Sequence, residues 1–255
     1  MYLVMGVAAS GLWSQVVKLE VLANNLANVQ TTGFKARRTD FADLVYQEID
    51  RSGWPAYGGQ VGTGVGVAAL SPDLSPGARW ESGRPYDLAV QGPEFLAVQL
   101  PDGRLAYTRD GNLAWSPDGR LVHAGTGYPL VPEISRPEGA ERVTIAADGR
   151  VWAYVAGGER EEIGRIWLYR FTNPQGLEAY GQNLWLAGEQ SGEPEAGLPG
   201  TEGWGRLAVG QLEASNVDLA EQMVEMLLAQ RAYQLNARMV VTADEMWALA
   251  NDLRR

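Results

Sequence analysis

The stretch Leu219-Ala-Glu-Gln-Met-Val-Glu-Met-Leu-Leu-Ala-Gln-Arg-Ala-Tyr-Gln-Leu-Asn-Ala-Arg-Met-Val-Val-Thr-Ala-Asp-Glu-Met-Trp247 decides how this chain is built. Leu219, Met223, Met226, Tyr233, Ala237, Val240 and Trp247 fall on one heptad seam, with Gln230 and Asp244 at its two polar steps. Ser215-Asn216 offers a cap, and Asp218 and Glu221 stand in the first turns, where the helix dipole favours acids. No Gly or Pro interrupts the run from Asn216 to Arg255, so the spacing predicts a helix of about 60 Å at about 1.5 Å per residue. Val224, Leu227, Leu228, Leu235 and Val241 add a second apolar face. A helix apolar on more than one side needs more than one partner.

The opposite end has the same grammar. Met5, Ala9, Leu12, Val16, Leu19, Ala23 and Leu26 are spaced alternately four and three apart, which predicts an amphipathic helix of some 35–40 Å. Asn28 and Thr31-Thr32-Gly33 are expected to end it, with Gly33 as the stop. Each terminal helix could pack on the middle of its own chain, or the two could pack on each other and on neighbouring copies. The breadth of the C-terminal seam favours the second, with Met5, Leu12, Val16, Leu19 and Leu26 facing Met223, Met226, Tyr233 and Val240.

Charge is distributed to match. The chain has 255 residues, 21 basic and 31 acidic, net −10. Residues 1–52 carry five basic and five acidic groups, residues 206–255 five and seven, and residues 53–205 eleven and nineteen. Near-neutral ends suit burial against protein, and an acidic middle suits solvent. The acidic balance argues against nucleic acid, whose backbone is held by clustered Lys and Arg. No apolar run is long enough to span a bilayer. Met1–Trp13 is apolar but has no basic residue before Lys18, so it reads as mature protein and not as a cleaved signal peptide.

The middle reads as β. Tyr86–Gln91, Glu94–Leu100, Arg104–Thr108, Arg120–His123 and Arg165–Phe171 are short runs between turn signals, and Asp-Gly recurs at 102–103, 110–111, 118–119 and 148–149. Asp-Gly suits hairpin turns of type I′. Gly53–Gly66, with six glycines, and Glu189–Gly205 read as flexible or extended connections. The fold class is therefore α+β. Residues 1–52 and 206–255 form a discontinuous helical, coiled-coil domain, 53–75 a Gly-rich linker or insertion, 76–188 a hairpin-rich β domain, and 189–205 a linker back.

Little catalytic chemistry is available. There is no Cys and one His, His123, which excludes disulfides, thiol catalysis, Cys–zinc and multi-His metal sites. Gly62-Thr-Gly-Val-Gly66 lacks the spacing and the flanking strand and helix of a dinucleotide fingerprint. Asp110-Gly111-Asn112 is a turn and not a calcium loop. No catalytic residue, cofactor site or metal ligand is assigned. A polysaccharide-active enzyme or cell-wall binding module built on paired carboxylates remains the reading from another class.

The remaining motifs have no catalytic logic. Asn24-Asn25-Leu-Ala-Asn28 followed by Thr31-Thr-Gly33-Phe34-Lys35 resembles the N-terminal signature of the flagellar axial proteins, the rod and hook subunits. Asp87–Gly92, Tyr107-Thr-Arg-Asp110-Gly111 and Gly127-Tyr-Pro129 resemble the central signature. Leu212-Glu-Ala-Ser215-Asn216-Val217, Gln230-Arg231-Ala-Tyr233 and Thr242-Ala-Asp244 resemble the C-terminal one. The motifs come in the family's order over nearly the whole chain. Val61–Val65, after the first helix, looks most like the distal-rod members, with a proximal-rod or hook-like protein as the alternative. Gly92-Pro93-Glu94-Phe95 departs from the Gly and paired aromatics usual there. The resemblance implies a structural subunit that is not an enzyme, exported unfolded by the flagellar type III apparatus. It implies helical polymerisation beneath a rod cap, next to other rod and hook proteins, into a hollow shaft carrying torque. The terminal helices would line the tube and the β domain would face outward. Gly33 and Gly111 are expected to serve backbone geometry. Asn24, Asn25 and Asn28 are expected either to cap the helix or to satisfy neighbouring hydrogen bonds.

Overall fold

The computed structural model describes residues 2–48, 60–155 and 160–253. The chain divides into two units at boundaries that differ from those expected: 1–27, 37–72 and 218–255 form the first, and 28–36 with 73–217 the second.

The first unit contains helix α1 (Tyr2–Ala27), strands β1 (Arg37–Asp43), β2 (Tyr46–Glu48), β3 (Gln60–Gly62) and β4 (Val65–Pro72), and, at the far end of the chain, helix α2 (Leu219–Asp252). The helices pack on each other, and α1 also packs on β1 and β4. β1 pairs antiparallel with β4, and β2 with β3, in one continuous two-stranded ribbon with a bulge at Asp40/Phe41. At about 3.3 Å per residue this ribbon runs some 40 Å. It corrects the linker expected over 53–75. Val61, Val65, Val67 and Leu70 are strand residues, because pairing with β1 and β2 and the β-branched valines outweigh the intervening glycines. Residues 53–59 of that expected linker lie outside the described residues.

Both helix ends are also corrected. α1 stops at Ala27, six residues before Gly33. α2 is capped by Asp218, whose carboxylate accepts from the backbone N–H of Ala220 (2.8 Å) and Glu221 (3.1 Å), and not by Ser215-Asn216.

The second unit is β apart from one 3-10 turn at Pro174–Gly176. Its strands are β5 (Arg79–Glu81), β6 (Leu88–Gln91), β7 (Leu96–Gln99), β8 (Leu105–Thr108), β9 (Leu113–Trp115), β10 (Leu121–His123), β11 (Leu130–Val131), β12 (Ala140–Ile145), β13 (Arg150–Val155), β14 (Arg160–Arg165), β15 (Leu168–Arg170), β16 (Glu178–Gly181), β17 (Leu184–Leu186), β18 (Glu195–Gly197), β19 (Arg206–Val209) and β20 (Gln211–Glu213). An antiparallel sheet β11-β7-β8-β17-β16 lies at its centre, beside a three-stranded sheet β12-β13-β14 and the pairs β9–β10, β15–β18, β6–β19 and β5–β20. The inner strands β7, β8 and β17 are buried on both faces, whereas the edge strand β16 is exposed. Leu96, Val98, Ala106 and Leu184 belong to an aliphatic core, and the alternate residues Ala97, Tyr107 and Trp185 to an aromatic one with Phe95, Tyr169 and Phe171. Period-2 alternation between two apolar layers explains why these strands read as unbroken apolar runs.

Three of the four Asp-Gly sites, each continued by Arg, close hairpins: 102–104 between β7 and β8, 118–120 between β9 and β10, and 148–150 between β12 and β13. In each, only the glycine has positive φ (+84°, +74° and +81°). The loops are thus three-residue turns ending in a left-handed glycine, and the expected type I′ is corrected. The type I′ turn is instead Gln182-Asn183 (φ +54° and +60°) between β16 and β17. The expected linker 189–205 is part of this unit: it contains β18, and Ser191 is fully buried.

Candidate functional site

In the first unit every fully buried helix position lies one or two residues before an expected step. On α1, Ala8, Ser14, Val21, Leu22 and Asn25 are buried, while Ala9 and Ala23 are exposed. On α2 the inward steps are Gln222, Met226, Ala229, Asn236, Val240 and Ala243, of which Ala229 and Ala243 are buried. Small side chains set this phase because they let two helices approach closely. A Cβ added to Gly11 would sit 2.8 Å from Nδ2 of Asn236. Gln222 is the polar step at the other end, its Oε1 accepting from Nδ2 of Asn25 (3.0 Å). Lys18 and Glu225 form an ion pair at 2.5 Å.

Of the expected interface residues, Met5, Leu12, Val16, Leu19, Leu26, Met226 and Val240 are half-buried, whereas Met223 and Tyr233 are exposed. Their neighbours are exposed too: Trp13 is 67% accessible, and Leu227 and Leu228 61% each. Among the described residues, 24 large apolar side chains are exposed, and 20 of them lie in the first unit. The ribbon contributes Phe41, Leu44, Val45, Tyr46 and Leu70. An exposed apolar area of this extent marks a surface made for protein contact.

The asparagines of the first motif divide the labour. Asn25, buried on α1, brackets the start of β1: its Nδ2 donates to the Arg37 carbonyl (2.8 Å) and its Oδ1 accepts from the Arg37 N–H (2.9 Å). Asn28 accepts from the Thr31 hydroxyl (3.2 Å), holding the turn after α1. Asn24 is exposed. Arg231, also exposed, donates to Gln234 (3.2 Å).

The second unit gathers the other motif residues around a buried ion cluster. Lys35 Nζ donates to Glu213 Oε1 (2.5 Å) and to the Ser75 carbonyl (2.6 Å). Arg109 donates through Nη2 (2.7 Å) and Nε (3.1 Å) to Glu213 Oε2, and through Nη1 to the Gly92 (2.6 Å) and Glu94 carbonyls. Gly77 N–H completes the shell of Glu213 Oε1 at 3.0 Å. The side chains of Lys35, Arg109 and Glu213 are 0%, 1% and 1% exposed. Burial pushes the Lys35 ammonium below the usual lysine range, against the opposing pull of Glu213.

Backbone bonds extend the cluster. Gly33 N–H donates to the Glu213 carbonyl (2.8 Å), Asn216 Oδ1 accepts from Ala36 N–H (2.7 Å), and Asn216 Nδ2 donates to the Asp73 carbonyl (2.8 Å). Asn216 N–H also reaches the Phe34 carbonyl, while the Ser215 hydroxyl accepts from Val217 N–H (3.3 Å). Gly33, at φ +66°, passes so near the 109–110 backbone that a Cβ would lie 2.6 Å from Asp110 N. Gly111 passes so near β6 that a Cβ would overlap the Leu88 carbonyl. The three segments by which the chain enters and leaves this unit, 28–36, 73–77 and 213–217, are thereby bonded to one another. The cluster escaped the sequence reading because its three charges lie 104 and 178 residues apart. The only available signal was that each sits inside one of the three motifs.

His123 is buried on β10. One ring nitrogen meets Asp110 Oδ2 (3.1 Å) and the other the Thr126 hydroxyl (3.0 Å). Thr126 also accepts from Tyr128 N–H (3.3 Å), so the trio holds the turn after β10. Among the described residues no cluster of His, Asp and Glu could hold a metal. Among the described residues no helix is long and apolar enough to cross a membrane.

Three family models match the chain: "Flagella basal body rod protein" over residues 5–35, "Flagellar hook protein FlgE/F/G D1 domain" over 89–153, and "Flagellar basal body rod FlgEFG protein C-terminal" over 208–253. The chain is 42% identical to the flagellar basal-body rod protein FlgG of Borreliella burgdorferi and 38% identical to that of Caulobacter vibrioides. In each case 97% of both chains is covered. It is 39% identical to the flagellar hook protein FlgE of Salmonella typhimurium over 43% of this chain and 27% of that one.

Proposed function

We propose, because this chain belongs to the flagellar basal-body rod protein family and is a structural rod subunit of the distal, FlgG type, that its first unit is the polymerising element and its second a rigid body carried along with it. The observation that carries this is the concentration of exposed apolar side chains on α1, α2 and the ribbon. A single copy leaves Met223, Leu227, Leu228 and Leu235 in water, and further copies of the same chain are the surfaces that would cover them. Repetition of one heterologous contact extends without closing, which is how a shaft grows.

In this reading α1 and α2 pair as a coiled coil lining a hollow helical tube. Met5, Leu12, Val16, Leu19 and Leu26 then complete contacts to neighbouring copies with Met223, Met226, Tyr233 and Val240. Stiffness against torque comes from the many such contacts per subunit and from the bonded neck at Lys35, Arg109 and Glu213. Adjoining rod and hook proteins and a rod cap are the further partners. The flagellar type III apparatus is the route across the inner membrane.

The test is the double variant L227D/L228D. Both side chains face solvent in the single chain, so the dilute subunit should unfold at the same denaturant concentration as wild type, because exposed substitutions shift stability by less than about 0.5 kcal/mol. Polymerisation and complementation of a rod-deficient strain should be abolished. Normal rods built from this variant would overturn the proposal.

A further inference from the structure

We propose that Glu213 is the closing element of the second unit, so that its core cannot complete until residues 213–217 are available. Lys35 and Arg109 are both buried, and among the described residues Glu213 is the carboxylate ion-paired with both of them. Without it, Lys35 would keep the Ser75 carbonyl and the weaker pull of Asp73, and Arg109 the Gly92 and Glu94 carbonyls and the face of Phe95, none of them an ion-paired carboxylate. Removing one partner of a buried pair leaves a charge whose desolvation nothing offsets. Residues of the same stretch also dock segment 28–36, through Gly33 to Glu213 and Asn216 to Phe34 and Ala36, and the neighbouring strand, through Ala214 to Ala78 at 2.7 Å.

Chain order gives this arrangement a direction. Lys35 and Arg109 precede Glu213 by 178 and 104 residues. A chain threaded N-terminus first therefore holds both cations unmatched until most of it has emerged. α2, which the first unit needs, follows at once. Neither unit can close early, which keeps the chain threadable. That purpose rests on the export reading above, whereas the closing role of Glu213 rests on geometry alone.

The experiment uses the full chain. In E213Q, amides of the second unit such as Phe95 and Leu121 should lose hydrogen-exchange protection, and cleavage there by thermolysin should rise by on the order of a hundredfold. E195Q, which breaks the exposed pair with Arg170, should change neither. The triple variant K35M/R109M/E213L, which removes the charges together, should regain protection. On refolding of wild type, pulse labelling should show the Phe95, Leu121 and Ala214 amides protected in one phase. The proposal is overturned if E213Q stays within threefold of wild type, if the triple variant remains as open as E213Q, or if Phe95 and Leu121 are protected before Ala214. The export reading fails separately, if the triple variant, whose second unit no longer has cations waiting for Glu213, is secreted through the flagellar apparatus as well as wild type.

Discussion

At the residue scale, two glycines do different work from the rest. Gly103 occupies a left-handed turn with open space around its Cα (φ +84°). Replacing it by Ala should cost about 1–2 kcal/mol, the penalty of that conformation for an L side chain. Gly111 is constrained by space, because a Cβ would overlap the Leu88 carbonyl. Gly111→Ala should therefore cost more, about 3 kcal/mol, since two backbones must separate. Urea unfolding of the two variants checks the order, and equal midpoints would refute the close-approach argument. Tyr107 offers a second residue-level test. Burial pushes its phenol up to about 12. The unfolded chain ionises this group near 10 and the native one near 12, so between those values the native state binds more protons and stability falls as pH rises. Lys35 acts in the opposite sense, since its lowered value makes stability rise with pH below 10.5. The Tyr107 contribution must therefore be read as a difference: Y107F should show a shallower loss of stability from pH 10 to 12 than wild type, and parallel curves would refute it.

At the element scale, the phase of the helix seam carries the argument. Ala229 is buried between α2 and its surroundings in the first unit, one residue from exposed Leu228. Ala229→Leu should overpack that contact and cost the dilute subunit about 1–3 kcal/mol, whereas Leu228→Ala should leave it within about 0.5 kcal/mol. Thermal unfolding of both separates this seam from one running through residue 230. Both terminal helices were legible in the sequence because heptad spacing survives a phase error. The phase was not, because a search for large apolar residues favours Met223 and Tyr233, while a close helix pair selects Gln222, Ala229 and Asn236. The Asp-Gly hairpins were legible from the demand of a left-handed position for glycine. The ribbon was not, since glycines 58–66 suppress a strand signal that only the partner strand 37–48 restores. The Gln182-Asn183 turn was hidden too, because neither residue is glycine and Asn183 is held from a distance, by its bond to the Thr32 carbonyl (2.9 Å). The motif residues were visible as motifs, but the ion pairs joining Lys35, Arg109 and Glu213 have no signature in local spacing.

At the scale of the whole molecule, the two units differ in what holds them. The second has two buried cores and an enclosed ion cluster. The first relies on a helix pair whose last stretch, 244–252, is exposed at every position. Helices without tertiary contacts are marginal in water, so the end of α2 should open first in a dilute subunit. Limited proteolysis should then trim the chain from its C-terminus inward and pause at a defined place. Composition alone puts that pause near residue 205, where the Gly- and Pro-rich segment ends. The geometry puts it beyond Val217, because Glu213 and Asn216 hold residues 28–36 and 73–77 in place. Mass spectrometry of the surviving fragment decides between them. A C-terminus between 217 and about 230 is expected from the buried cluster and the contacts of the first turns of α2. A stable fragment ending near 205 would mean that the second unit keeps its fold with Lys35 and Arg109 unmatched, and the neck would then add stiffness without being needed for the unit to exist.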